Sequence, residues 1–315
     1  NYLAYGNNLW VVRNVGANAK NAVVGDSDAG TAILVKNKDH FDGITFSDQL
    51  FVAKYPGVLG NSLKVQAIDV DGWADSTVNA TFLANFDRAP GTSTDVSNAG
   101  GSNDEMHVIV IDEDGLWTGN PGQVLEKFAF VSKASDAKRI DGSSNYVVDV
   151  MRNESEYAWV GLVTKFTENS TGTDVNAGQP KAGATFKTFN SATAAESVPG
   201  GSLTLGVDDN AQTDGLLQAS YALYQTPEVV DVTLVMAGPA STTTARWIVD
   251  NITSVRKDCV AFVSPVKASV VNNSGSEVTA LTTDNTALGS SSYAVMDGAW
   301  KYQYDRYRDV FLYVP

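Results

Sequence analysis

The stretch DVTLVMAGPASTTTARWIVDNITSVRKDCVAFVSP, residues 231–265, decides the fold class. Its two ends, DVTLVMAG and DCVAFVSP, are short apolar runs that read as strands. Between them STTTARWIVDNITSVRKD reads as a helix, with Ser241 or a following Thr as its N-cap. The apolar residues Ala245, Ile248, Val249, Ile252 and Val255 keep the i, i+3, i+4, i+7 spacing of one helix face. A strand, a helix and a strand of this length make a βαβ unit, so the two strands are expected to be parallel. The class that follows is α/β in a mixed (α+β) form, with mixed sheets flanked by helices and one parallel βαβ unit.

Trp247 breaks the apolar stripe. At 100° per residue it lies roughly opposite, beside Asp250, Asn251 and Ser254. Two readings stand: a neighbouring loop of the same chain covers it, or it is a contact for another subunit. Moderate exposure is expected in an isolated monomer, and complete burial of the indole within one chain would exclude the second reading. Cys259, the single cysteine, falls in the second strand and reads as a packed small hydrophobe rather than a nucleophile. One cysteine permits no intrachain disulfide.

Outward from this unit, TDGLLQASYALYQ reads as a short helix with Leu217, Tyr221 and Tyr224 on one side. Residues 268–292, including VNNSGSEV and TTDNTALGSSS, read as a long polar loop before SSYAVMDGAWKYQYD returns to strand. Residues 168–202 are rich in Ser, Thr, Ala and Gly and read as a long surface excursion. NNLWVVRNV, SLKVQAIDVDG and SEYAWVGLV read as strands. EMHVIVIDEDG and QVLEKFAFVSK read as two strands joined around GLWTGNPG. In NYVVDVMRNES, Val147, Val150 and Met151 fall at helical spacing. WKYQYDRYRDVFLYVP, at 300–315, alternates Trp300, Tyr302 and Tyr304 against Lys301, Gln303 and Asp305, the pattern of a half-buried strand. DRYRD then balances two Arg against two Asp and offers no basic patch for phosphate.

The chain has 315 residues, 43% hydrophobic and 18% charged, which suits one large or two ordinary globular domains. No apolar run approaches the ~20 residues that cross a bilayer, so no membrane insertion is expected. Asn1 sits inside what reads as an ongoing pattern, NYLAYGNNLWVVRNV, and a fragment is expected. With 22 Lys plus Arg against 36 Asp plus Glu, the net charge is −14. Such a chain repels a phosphate backbone, and nucleic acid is not an expected partner.

Little in the sequence points to catalysis. His40 and His107 are 67 residues apart and belong to no spaced ligand set. IDVDG (68–72) and IDEDG (111–115) resemble pieces of calcium loops. Ala67 and Val110 occupy the upstream ligand positions, however, and Asp-Gly at a hairpin turn accounts for both better. There is no GxGxxG after a strand, no Walker loop and no GxSxG elbow. Sequons at Asn79 and Asn251 are of a kind that chance supplies. No catalytic residue, metal site or cofactor is assigned.

The stretch LFVAKYPGVLGNSLKVQAI, residues 50–68, resembles the signature of contractile-tail sheath proteins: an aromatic-Pro-Gly, then Gly-Asn, then a strand. The matching positions are Tyr55, Pro56, Gly57, Gly60 and Asn61. Pro56-Gly57 sets a tight turn, and Gly60-Asn61 is expected to allow a second positive-φ bend. LAYGNNLWVVRNVG, SLTLGVDDN with the helix and strand after it, DNITSVRKDCVAFVSPV, and SSYAVMDGAWKYQYDRYRDVFLYVP match the same family in order. Leu-Gly-Val-Asp stands where the family usually has Gly-Gly. The resemblance is to sheaths of T-even-type myoviruses, with a giant Pseudomonas phage of the phiKZ type as the expected source.

The resemblance implies a non-enzymatic structural subunit of the virion that assembles with its neighbours as a six-start helix. It further implies contraction that drives a tail tube through the host envelope. It implies an outer domain at 16–267, with 1–15 and 268–315 as part of a discontinuous second domain. Contacts with tube and baseplate would run through regions missing here, and the isolated fragment would be monomeric. Two other classes stay open: a glycan-binding or adhesin-like surface module, and an α/β enzyme built around the 232–263 unit.

Overall fold

The computed structural model describes residues 6, 8–25, 30–74, 80–167, 174–189 and 199–315. The chain divides into two compact units, Ala17–Asn210 and Asn1–Gly16 with Ala211–Pro315. In chain order the first contains β1 (Asn21–Val24), α1 (Lys38–Asp42), β2 (Phe51–Pro56), β3 (Leu63–Ile68), α2 (Val70–Ala74), α3 (Ala80–Leu83) and α4 (Thr94–Asn98). It continues with β4 (Glu105–Asp112), β5 (Gln123–Ser132), α5 (Val147–Glu154), β6 (Ala158–Val160) and β7 (Gly200–Ser202). The second contains α6 (Asp214–Tyr221), β8 (Leu234–Met236), α7 (Thr242–Ile248), α8 (Ser254–Arg256), β9 (Val260–Val263), α9 (Lys267–Val270), α10 (Glu277–Leu288), β10 (Ala294–Met296), β11 (Lys301–Asp305) and β12 (Val310–Val314).

The EMHVIVID run of β4 is buried along its entire length, as a central strand with both faces covered should be. It pairs with β5 and β3 in an antiparallel sheet of order β5–β4–β3–β7. A second antiparallel sheet, β1–β2–β6, contributes Phe51, Ala53 and Val160 to the same core, and α5 closes it with Val147, Val150 and Met151. The unit's first and last stretches meet: Lys20 bridges Val207 antiparallel, and the Asn18 N–H donates to Asp209 Oδ2 at 2.9 Å.

Asp69 departs from the expected hairpin. IDEDG does open the β4–β5 connection, where the Asp112 carboxylate accepts from the Ser62 hydroxyl and the Trp117 and Thr118 N–H groups. IDVDG instead turns into α2, because Asp69 Oδ1 captures the N–H groups of Asp71 and Gly72 and starts a helix. Its other oxygen accepts from Lys133 Nζ at 2.8 Å and from the Phe189 N–H at 2.8 Å. Lys133 is 0% exposed and Asp69 1%. The described part of the 168–202 excursion is likewise not all surface, since Phe186 and Phe189 are buried and β7 pairs with β3. Two aromatic anchors suffice to seat a stretch whose average composition reads as solvent-facing.

In the second unit β8, β9 and β10 form a parallel sheet of order β10–β9–β8, and the expected βαβ unit is present. Ser241 caps α7, accepting from the Thr244 N–H at 3.1 Å. The helix does not stay α-helical: a π turn runs from Val249 to Thr253 before α8. The wider turn rotates everything after it, so Thr253 is buried and Val255, expected on the buried stripe, faces solvent. The helix ends at Lys257 in the left-handed region, φ 64°.

The polar loop expected at 268–292 is instead two helices, α9 and α10. α10 has no apolar stripe to announce it, and Leu288 is its one buried residue. Thr282, Thr283 and Thr286 turn their hydroxyls onto carbonyls four residues back, so these polar side chains are satisfied within the helix itself. Because β10 pairs with β9 and α10 packs on α7, residues 211–267 belong with 268–315. The sequence reading divided the chain at 267 instead. NNLWVVRNV also differs: residues 8–16 join no sheet, since an apolar run becomes a strand only with a ladder partner. β11 and β12 form a two-stranded hairpin, with Tyr302, Tyr304 and Phe311 exposed on one face rather than half-buried. None of the helices is long and apolar enough to cross a membrane, among the described residues.

Candidate functional site

The family-like stretch forms one clamped turn. β2 runs to Pro56, and Gly57 adopts φ 126°, ψ 169°, a conformation that only glycine enters easily. A 3-10 turn, Val58–Ser62, then delivers the chain into β3. The Gly57 N–H donates to the Lys20 carbonyl at 2.9 Å, and the Val58 N–H to Asp208 Oδ1 at 3.0 Å. Asn61 grips Gly206 twice: its Nδ2 donates to the Gly206 carbonyl at 3.1 Å, and its Oδ1 accepts the Gly206 N–H at 2.7 Å. Pro56, Gly57, Gly60 and Asn61 therefore act together, while the Tyr55 side chain stands exposed beside them.

The second positive-φ bend expected at Gly60-Asn61 is absent. Gly60 is needed for space: a Cβ there would lie 2.9 Å from the Ala22 Cβ and 3.0 Å from that of Ala53. The strained residue is Leu205, at φ 67°, within the stretch where the family's Gly-Gly is expected. A left-handed non-glycine costs about 1–2 kcal/mol. Sequence reasoning missed Gly206 and Asp208 as partners of the turn; the quoted LGVDDN held the signal, but nothing local links it to residues 57–61.

Trp247 is half-buried and packs against the core formed by Ile248, Ile252 and the β8–β9 strands. Its carbonyl accepts from Asn251 Nδ2 at 2.9 Å. The remaining indole surface is open. The other sequon, Asn79, lies outside the described residues.

Among the described residues no group of three or more His, Cys, Asp and Glu is placed to hold a metal ion. Cys259 is buried, and burial pushes its thiol pKa up, with the nearby Asp258 carboxylate adding to the rise. A groove of 330 Å³ runs between residues 8–14, α6 and β8. Its Ser220 and Tyr221 hydroxyls are committed to the carbonyls of Leu216 and Met236.

His107 sits inside β4, stacked on Phe86 with ring centroids 4.1 Å apart. Nδ1 accepts the Phe130 N–H at 3.1 Å, and Nε2 lies 2.9 Å from the Arg88 carbonyl. Phe130, at φ 56°, forms the β4–β5 bulge that allows this contact. Burial holds the imidazole below its ordinary pKa. The unfolded chain takes up this proton as pH falls through ~6.5, and the folded chain only lower. The contribution is thus complete above that window and lost as pH falls from ~6.5 through the folded value. Urea unfolding at pH 7.5, 6.5 and 5.5 is expected to show this decline, and His107→Phe, which keeps the stack, to flatten it.

No protein-family model matches the chain. The tail sheath protein of Salmonella phage ViI is 24% identical over 404 aligned positions, which cover 100% of this chain and 57% of that protein. The tail sheath protein of Enterobacteria phage T4 is 32% identical, covering 84% of this chain and 38% of its own length. That of Vibrio phage KVP40 is 33% identical, covering 35% and 19%. The chain therefore spans at most a little over half the length of these curated relatives. A solved sheath tail protein from Listeria innocua covers 70% of this chain and 32% of its own at 12% identity and TM-score 0.31, too loose a superposition to argue from. A phiKZ-type source gains no support from these matches. The chain is thus similar by sequence, over its whole length in one case and over 84% of it in another, to tail sheath proteins of contractile-tailed phages.

Proposed function

We propose that the chain is part of a tail sheath subunit, structural rather than catalytic. It packs against copies of itself in a helical cylinder around a tail tube, which contracts to drive the tube through the host envelope. The observation that carries this reading is the match of the entire chain to a tail sheath protein, with two further sheath proteins alongside. Heterologous contacts that do not close generate such a helix without cofactor or covalent chemistry. The unit at 17–210 is the candidate outer domain, and the unit built from 1–16 and 211–315 the candidate route toward tube and baseplate. The open side of Trp247 is a candidate contact between neighbours.

Electron microscopy of the complete sheath polypeptide tests this. Cylinders of uniform diameter are expected. Dispersed particles under all assembly conditions would overturn the reading and favour an adhesin-like module or an enzyme.

A further inference from the structure

One face of the parallel sheet of the second unit packs on its helices, and the other is flanked only at β8, where residues 8–14 line the groove with Leu234 and Met236. Val235, Ala261 and Val263 point into the core with Ala245, Ile248, Val249, Ile252 and Leu288. The opposite face carries Leu234, Met236, Phe262 and Val295, which remain 49%, 52%, 44% and 49% exposed. Register places them together: Met236 pairs with Phe262, and Phe262 with Val295. All four are large and apolar. Parallel sheets are characteristically buried on both faces, because their crossover helices cover them.

Topology explains the bare face. The chain steps from β8 to β9 to β10 in one direction across the sheet. Right-handed crossovers that advance the same way put their helices on the same side. α7 and α10 accordingly pack on each other. Residues 8–14 reach only the β8 edge of the other face, so covering the part around Phe262 and Val295 takes chain that approaches from elsewhere.

The size of the face selects the occupant. Three strands about 5 Å apart and three or four residues long offer about 150–200 Å². That matches one helix, about 10 Å across. It is far below the ~800 Å² per partner of a stable intermolecular interface. A patch this small holds its cover when the two are tethered, so that effective concentration replaces area. The relatives supply the tether: this chain spans 57% of the ViI protein's length and 38% of the T4 protein's.

We propose that the face centred on Phe262 seats one amphipathic helix supplied in cis by sheath sequence beyond these 315 residues. The proposal rests on the sheath reading for the source of that helix.

The test is thiol labelling of Phe262→Cys, with Val295→Cys as a second reporter of the same face and Ile140→Cys, at a fully exposed position, as the control. Alkylation rates are read site by site by mass spectrometry, in the 315-residue chain and in the complete, unassembled polypeptide. The expected result is at least tenfold slower labelling at 262 and 295 in the complete polypeptide, with 140 unchanged. Equal rates in both would overturn the proposal. Protection appearing only in assembled cylinders would overturn it too, by making the occupant a second copy. If cylinders form while the thiol at position 262 stays reactive, the helix seat is wrong and the sheath reading stands; if no cylinders form, it is the sheath reading that fails.

Discussion

Lys133→Met is expected to lower folding stability by about 3–5 kcal/mol, the range for leaving a buried charge without its partner. The Lys133 ammonium donates to Asp69 Oδ2 at 2.8 Å and to the Lys187 carbonyl at 2.7 Å, and lies 4.6 Å from the centroid of the Phe189 ring. Without it, the Asp69 carboxylate keeps its three backbone donors but loses its counter-charge in a site closed to water. Adding Asp69→Asn removes the orphaned charge, and the double variant is expected to recover part of the loss. Urea titration of the single and double variants measures both effects. A single variant within about 0.5 kcal/mol of the parent would show that water reaches the pair after all.

Gly206→Ala is expected to cost about 3 kcal/mol, the upper end for an overpacked site. A Cβ there would stand 2.4 Å from the Gly57 carbonyl oxygen and 2.8 Å from Asn61 Oδ1. Neither neighbour can withdraw cheaply, since Gly57 is backbone and Asn61 is held by Gly206 itself. The whole Tyr-Pro-Gly turn would have to move. Gly215→Ala is the control, because a Cβ there meets nothing within 4 Å and falls in the first turn of α6. It is expected to be neutral or slightly stabilising. Thermal melts of the two variants side by side separate the clash from any general intolerance of glycine replacement.

What the sequence made legible followed periodicity. The stripe Ala245, Ile248, Val249, Ile252 and the flanking strands were readable because one face is buried at a fixed spacing. β4 was readable because it is apolar throughout. α10 was not, because its threonines satisfy their own hydroxyls and leave no stripe. Val255 was misplaced because a π turn shifts phase without changing composition. Asp69 passed for a hairpin residue because its partners, Lys133 and Phe189, are distant in sequence. The turn at 55–61 was readable as a motif, but its grip on Gly206 and Asp208 was not, since those contacts close loops of about 150 residues.

The antiparallel bridge between Lys20 and Val207, with Asn18 bonded to Asp209, gives the unit at 17–210 a modular character. Its entry and exit lie side by side, so the sequence on either side of it meets the whole insert as it would a hairpin. An insert with neighbouring ends can be lengthened, exchanged or excised and rejoined through a short linker without pulling its host apart. Divergence within this lineage can thus remodel one unit wholesale while the parallel sheet of the other is retained.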